Sequence, residues 1–371
     1  MADIEIGRGK RGRVAYSLDE VAIAPSRRTR DADEVSTAWQ IDAYRFDAPV
    51  MAAPMDSVVS PASAIELGRL GVPAALNLEG LWTRYADPAP QFEQIRQAPA
   101  HEATALLQRI YAAADVDEGL VSERLRQIRD AGVTVVAGVS PQGAGRLAPV
   151  AVAAGIDLLV IRGTTVSAEH VATGHAPLNL KTFIYDLEVP VIVGGCATYQ
   201  AALHLMRTGA AGVLVGFGGG AAHTTSDVLG IRVPMASAIA DVSAARRDYL
   251  DESGGRYVHV IADGSVGSSG ALVKAIACGA DAAMVGSLLA RASDAPGGGV
   301  HWGAEAWHAH LPRGERKELG VVGTLEQILR GPSTHADGSA NIIGALRKAM
   351  ATTGYSDLKE FQRIDVILDP E

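Results

Sequence analysis

The chain has 371 residues, 48% of them hydrophobic and 20% charged, with a formal net charge of -9. That is ample for a sizeable core, and the acidic balance gives no support to a nucleic-acid partner while leaving room for a local anion site. Two cysteines, Cys196 and Cys278, are too few for a disulfide framework; the amino terminus lacks the features of a secretion signal, and no charge-free apolar run approaches the ~18 residues of a membrane span. A cytoplasmic protein with no membrane contact is therefore expected.

Eight short apolar, β-branched runs follow in order, at residues 49–53, 72–77, 133–138, 158–161, 189–194, 212–216, 258–263 and 282–286. Their near-continuous apolar character suits strands buried on both faces. Pro73 makes the second the weakest. Helical spacing fills the intervals: 82–115 reads as a helical excursion, Thr198 is placed to cap 199–207, and 269–277 ends at Cys278-Gly279. Repeated strand–helix units predict a parallel sheet, and eight of them predict an α/β fold closed as a (β/α)8 TIM barrel, a single domain over 1–371. Residues 291–340, rich in Gly, Pro and His and carrying Trp302 and Trp307, break the plan and read as a lid or oligomer contact. Residues 341–350 return to helix.

Several strand exits share one rim, the functional face of such a barrel: Gly194-Gly195, Gly216-Phe217-Gly218, Asp263-Gly264-Ser265 and Gly286-Ser287. Glycines there admit close approach of a ligand, and their amides can cradle oxyanions, so a phosphate-bearing ligand is favoured. The plain alternative for Asp263 and Ser287 is a turn or cap. His223, at the lip of the glycine loop 216–225, can serve acid–base chemistry or merely fill the loop, but it cannot be a thiol nucleophile. Cys196 and Cys278 read as small buried hydrophobes.

Five segments together resemble the IMP dehydrogenase and GMP reductase superfamily, especially its short actinobacterial dehydrogenase-related branch. They are Tyr16-Ser17-Leu18-Asp19-Glu20-Val21, Ala53-Pro54-Met55-Asp56-Ser57-Val58, Ile261-Ala262-Asp263-Gly264, Asp281-Ala282-Ala283-Met284-Val285-Gly286-Ser287, and the closing Gly323-Thr324-Leu325 with residues 346–355. The resemblance implies a purine ribonucleotide such as IMP or GMP across the barrel mouth. Asp263 would bind the ribose hydroxyls, amides at Gly264, Ser265, Gly286 and Ser287 the phosphate, and Met55 would pack near the base. It implies NAD or NADP as cofactor, a potassium site on the carbonyls of Gly218, Gly220 and His223, a catalytic role for Thr225, and a homo-tetramer or octamer. The regulatory module of long dehydrogenases has no counterpart after Leu81.

Departures from the pattern gather at the reacting end. His223 stands where the family carries its cysteine nucleophile, Gly219 replaces a proline, and Ala221 replaces a serine. Arg162 replaces an aspartate that faces the nicotinamide ribose, and Gly195 replaces an asparagine. Arg313 or Arg316 is a remote analogue of the flap arginine, and Glu315 is a candidate by region for the reductase glutamate. Three functions compete: an NAD(P)-dependent oxidoreductase acting at purine C2, a recruited purine-nucleotide enzyme using His223 in non-redox chemistry, and a catalytically silent nucleotide-binding homologue.

Overall fold

Eight strands form the centre of the computed structural model, which describes residues 3–25, 27–171, 173 and 177–369. They are β1 (Val50–Ala52), β2 (Ala75–Asn77), β3 (Val136–Val139), β4 (Leu158–Arg162), β5 (Val191–Cys196), β6 (Gly212–Gly219), β7 (His259–Gly264) and β8 (Ala282–Val285). They pair in parallel in the order β1-β8-β7-β6-β5-β4-β3-β2, and a parallel bridge from Ala52 to Ala74 joins the two ends. The predicted (β/α)8 barrel is the observed fold. Every residue of β3, β5 and β8 is buried, as strands with helices outside and packed side chains inside require. Pro73 lies just before β2, where its carbonyl accepts from the Ala52 amide at 2.9 Å; a residue without an N–H is harmless there.

The connecting helices begin and stop where the sequence indicates. The Thr198 hydroxyl accepts from the Ala201 amide at 3.3 Å to open Tyr199–Met206. Ser268 caps Ser269–Ala277, which ends at Cys278 ahead of Gly279 with φ 115. The terminal strand Val366–Leu368 pairs antiparallel with Val21–Ile23, tying the end of the chain to its beginning. No helix among the described residues is long and apolar enough to cross a membrane.

The two segments outside the alternating plan pack on each other. Residues 82–115 contain the helices Ala89–Gln97 and Ala100–Ala112, and residues 291–340 contain an antiparallel hairpin, Val300–Trp302 with Arg316–Glu318. Together they bury a second core that includes Phe92, Ile95, Leu107, Tyr111 and Trp302. Each large apolar side chain of this kind contributes about 1.5–3 kcal/mol. Arg316, considered above as a flap arginine, is buried here and donates to the Ile95 carbonyl at 2.8 Å, so it joins the hairpin to the helices. Trp302 is 2% exposed and donates its indole N–H to the Tyr111 hydroxyl at 3.0 Å. The Trp302 side chain is thus engaged within its own chain.

Candidate functional site at the barrel mouth

Two cavities open at the carboxyl ends of the strands and share three residues, Arg162, His223 and Asp263. The smaller, about 400 Å³, lies between the exits of β1, β6, β7 and β8. Met55, Gly220, His223, Asp263, Gly264, Ser265, Gly286 and Ser287 all line it, so the structure brings these predicted residues together. The amino terminus of Ser269–Ala277 also faces it through Gly267, Ser268 and Ala271, adding the positive end of a helix dipole to the same wall. The larger cavity, about 540 Å³, runs from β2 and β3 to the hairpin and is lined by Asn77, Glu79, Ser140, Thr164, Thr165, Thr225, Glu305, Trp307, His308 and Arg313, among others.

Local backbone explains the shape. Gly216 has φ 135, and a Cβ there would stand 2.3 Å from the Asp263 carbonyl oxygen. A Cβ on Gly195 would stand 2.3 Å from the Gly216 carbonyl oxygen, which accounts for glycine where the family pattern has asparagine. Ser265 lies in the left-handed region with φ 59, held there by its amide donating to the Gly219 carbonyl at 3.0 Å. Strain of this kind collects at ligand sites. It also narrows one expectation: the Ser265 amide is already spent on Gly219 and is not a free phosphate donor. Likewise the Gly220 carbonyl accepts from the His223 amide at 3.0 Å, so it faces inward across its own turn.

The join of the two cavities is a charged cluster. Arg162 donates to Asp263 through Nε at 2.7 Å and Nη2 at 3.4 Å. Burial opposes the Arg162 charge, but the Asp263 carboxylate outweighs it and holds the proton more firmly than usual. His223 is pushed down to about 4, first by burial and then by the Arg162 guanidinium, so its imidazole is neutral. Across the smaller cavity, His301 is pushed down to about 3 by burial, then by His223 and Arg162, and its Nδ1 meets the Ser57 hydroxyl at 2.7 Å. Glu305, on the hairpin, pairs with Arg313 at 2.7 Å and accepts from the Thr164 hydroxyl at 2.5 Å; burial pulls its carboxyl up, but these bonds win and hold it below its usual range.

Several residues take different places from those expected. Glu315 points out to pair with Lys317, and the carboxylate that reaches the site is Glu305, ten residues earlier. Of the two arginines considered for the flap, Arg313 lines the larger cavity and Arg316 does not. Thr225 is 1% exposed and faces the larger cavity. Neither thiol reaches the mouth. Cys196 lies within β5, 0% exposed, pushed up to about 12 by burial, and Cys278 on the flank is pushed up to about 11, again by burial. Arg162, Glu305 and His301 were not singled out as a cluster. They are brought together only by the ring of strands and the docked hairpin, and no local pattern marks that.

In this α/β barrel the paired recess, and with it the candidate site, lies at the carboxyl ends of the strands, the usual face for such a site. The family profile described as the IMP dehydrogenase / GMP reductase domain matches residues 15–314, and the chain belongs to that family. It is 56% identical to an uncharacterized oxidoreductase of Mycolicibacterium smegmatis, over 97% of this chain and 98% of that one. Against an inosine-5'-monophosphate dehydrogenase of Aquifex aeolicus, identity is 32% over 57% of this chain and 44% of that enzyme. A 1.50 Å crystal structure of an IMP dehydrogenase/GMP reductase-like protein from Corynebacterium glutamicum superposes with a TM-score of 0.94 at 50% identity, covering 99% of this chain and 97% of the other.

Proposed function

We propose that the chain binds a purine 5'-ribonucleotide such as IMP or GMP in the smaller cavity and a nicotinamide dinucleotide, NAD or NADP, in the larger, as a cytoplasmic homo-tetramer or octamer. The observation that carries this reading is the meeting of the two cavities at one point, so that two ligands would touch there. Gly264, Gly286, Ser287 and the amino terminus of Ser269–Ala277 would hold the phosphate, Asp263 the ribose, and Met55 the face of the base. The larger cavity fits a nicotinamide nucleoside: it offers the flat Trp307 ring, itself stacked on Tyr111 at 5.0 Å, and the Glu79 carboxylate as an acceptor for ribose hydroxyls. When bound, the nicotinamide would supply the hydride donor or acceptor. Of the three carbonyls expected to carry potassium, that of Gly220 is turned to the His223 amide, which leaves those of Gly218 and His223 for the role.

What this chain does not supply is the thiol on which the covalent route depends. A neutral His223 beside Thr225 can orient or accept a proton from a group at the join, but it forms no thioimidate. A silent nucleotide-binding role is the second reading, favoured by the Arg162–Asp263 pair lying across the point where the two ligands would meet. Calorimetry with purine monophosphates, followed by turnover assays read by nicotinamide absorbance, separates the two. Conversion that is lost in His223→Ala supports the enzyme; binding without conversion supports the silent form; absence of binding refutes both.

A further inference from the structure

Arg162 leaves β4 and reaches Asp263 on β7, with β5 and β6 between them in the ring. The exits it crosses, Gly195 and Gly216, are bare backbone with no space for a Cβ. Its guanidinium therefore lies over the centre of the mouth. Nε and Nη2 are committed to Asp263, while Nη1 has no hydrogen-bond partner among the described residues, and the side chain lines both cavities. A guanidinium can only donate. With a phosphate at the β7 and β8 exits, a sugar on Asp263 and a base over Met55, the remaining edge of the base faces this join.

We propose that Arg162 selects the base, favouring a purine 5'-monophosphate oxygenated at C2 over one with a 2-amino group. The inference rests on the nucleotide reading above and adds the class of base. A C2 oxygen, or the ring nitrogen beside it once deprotonated, accepts a charge-assisted bond from the guanidinium. A 2-amino group instead sets donor against donor in a largely enclosed place and leaves one of them unpaired. A purine with only C–H at C2 offers neither gain nor conflict and falls between. The dioxo ring is also the more acidic, so it brings a negative charge to the only guanidinium that both cavities share.

Calorimetric titration with xanthosine, inosine and guanosine 5'-monophosphates tests this on the full chain and on Arg162→Met and Ser287→Ala. The expected result is xanthosine monophosphate binding about tenfold or more tightly than guanosine monophosphate. Arg162→Met should bring the two within about twofold, whereas Ser287→Ala should weaken all three by a similar factor. Should Arg162→Met fail to fold, Arg162→Gln, which keeps a donor without the charge, should narrow the difference. Equal affinities in the unaltered chain, or a ratio unchanged by the Arg162 variants, overturn the inference and leave the nucleotide reading standing. If none of the three binds to folded protein, the nucleotide reading fails and takes this inference with it.

Discussion

Removing the Asp263 carboxylate should cost more stability than removing it together with its partner. Arg162 and Asp263 have side chains only 14% and 10% exposed, and Arg162 is the sole cation bonded to Asp263 among the described residues. Asp263→Ala leaves a guanidinium without its counter-charge in a largely enclosed place. Breaking such a pair costs about 3–5 kcal/mol in closed interiors, and about 2–4 kcal/mol is expected here because both side chains face cavities. With an unfolding entropy of roughly 0.8 kcal/mol per degree for a chain of this length, Tm should fall by about 3–5 °C. The double variant Arg162→Met/Asp263→Ala replaces both charges by apolar groups and should recover more than half of the loss. Calorimetric melting of the two variants and the parent measures it. A double variant no more stable than Asp263→Ala would refute the claim that an abandoned charge, and not lost packing, sets the cost.

Three further outcomes follow from the site and its surroundings. His223→Cys should restore a nucleophile to the join, so incubation with a 6-chloropurine ribonucleotide should give a covalent adduct visible by intact mass; tight binding with no adduct would show that more than sulfur has been lost. Burial holds His223, His259 and His301 neutral, at about 4, about 4 and about 3, against 6.5 unperturbed. Their depressed values add stability that is present above pH 6.5 and lost on acidification, while Asp56, raised by burial to about 6, works in the opposite sense below that pH. At about 1.4 kcal/mol per group per pH unit, three against one predicts a net loss of ~2–3 kcal/mol for each unit below pH 6, measurable by urea unfolding at pH 6 and 5; a flat or rising profile would refute it. Finally, both thiols should resist iodoacetamide at neutral pH in the folded chain and react readily in urea, with Cys196 the slower; fast native labelling of Cys196 would contradict its placement inside β5.

The barrel was legible because each strand is a continuous apolar run, and a buried parallel strand needs no alternation to be recognised. The hairpin was not. Its strands, Val300–Trp302 and Arg316–Glu318, have three residues each and sit among glycines and prolines, and their stability comes from helices about 200 residues earlier in the chain. At the site, Asp263, Gly286 and Ser287 could be named because they stand on strand exits within recognisable segments. The Arg162–Asp263 pair joins residues 101 positions apart, and Glu305 is fixed by Thr164 from across the mouth, 141 positions away. Glu305 and Glu315 both lie between the two paired strands, and nothing local distinguishes the one that lines the larger cavity from the one that pairs with Lys317.

The bare backbone at Gly195 and Gly216 limits how this protein can acquire new chemistry. Both positions are closed to any side chain, so substitution there collides with carbonyl groups before it can reach a ligand. Innovation is channelled to β4, β7, the glycine loop and the hairpin. An engineer seeking a different reaction would leave the two glycines untouched and vary residues 162, 223, 301 and 305 as one set, because those four line the two cavities that meet at Arg162 and His223.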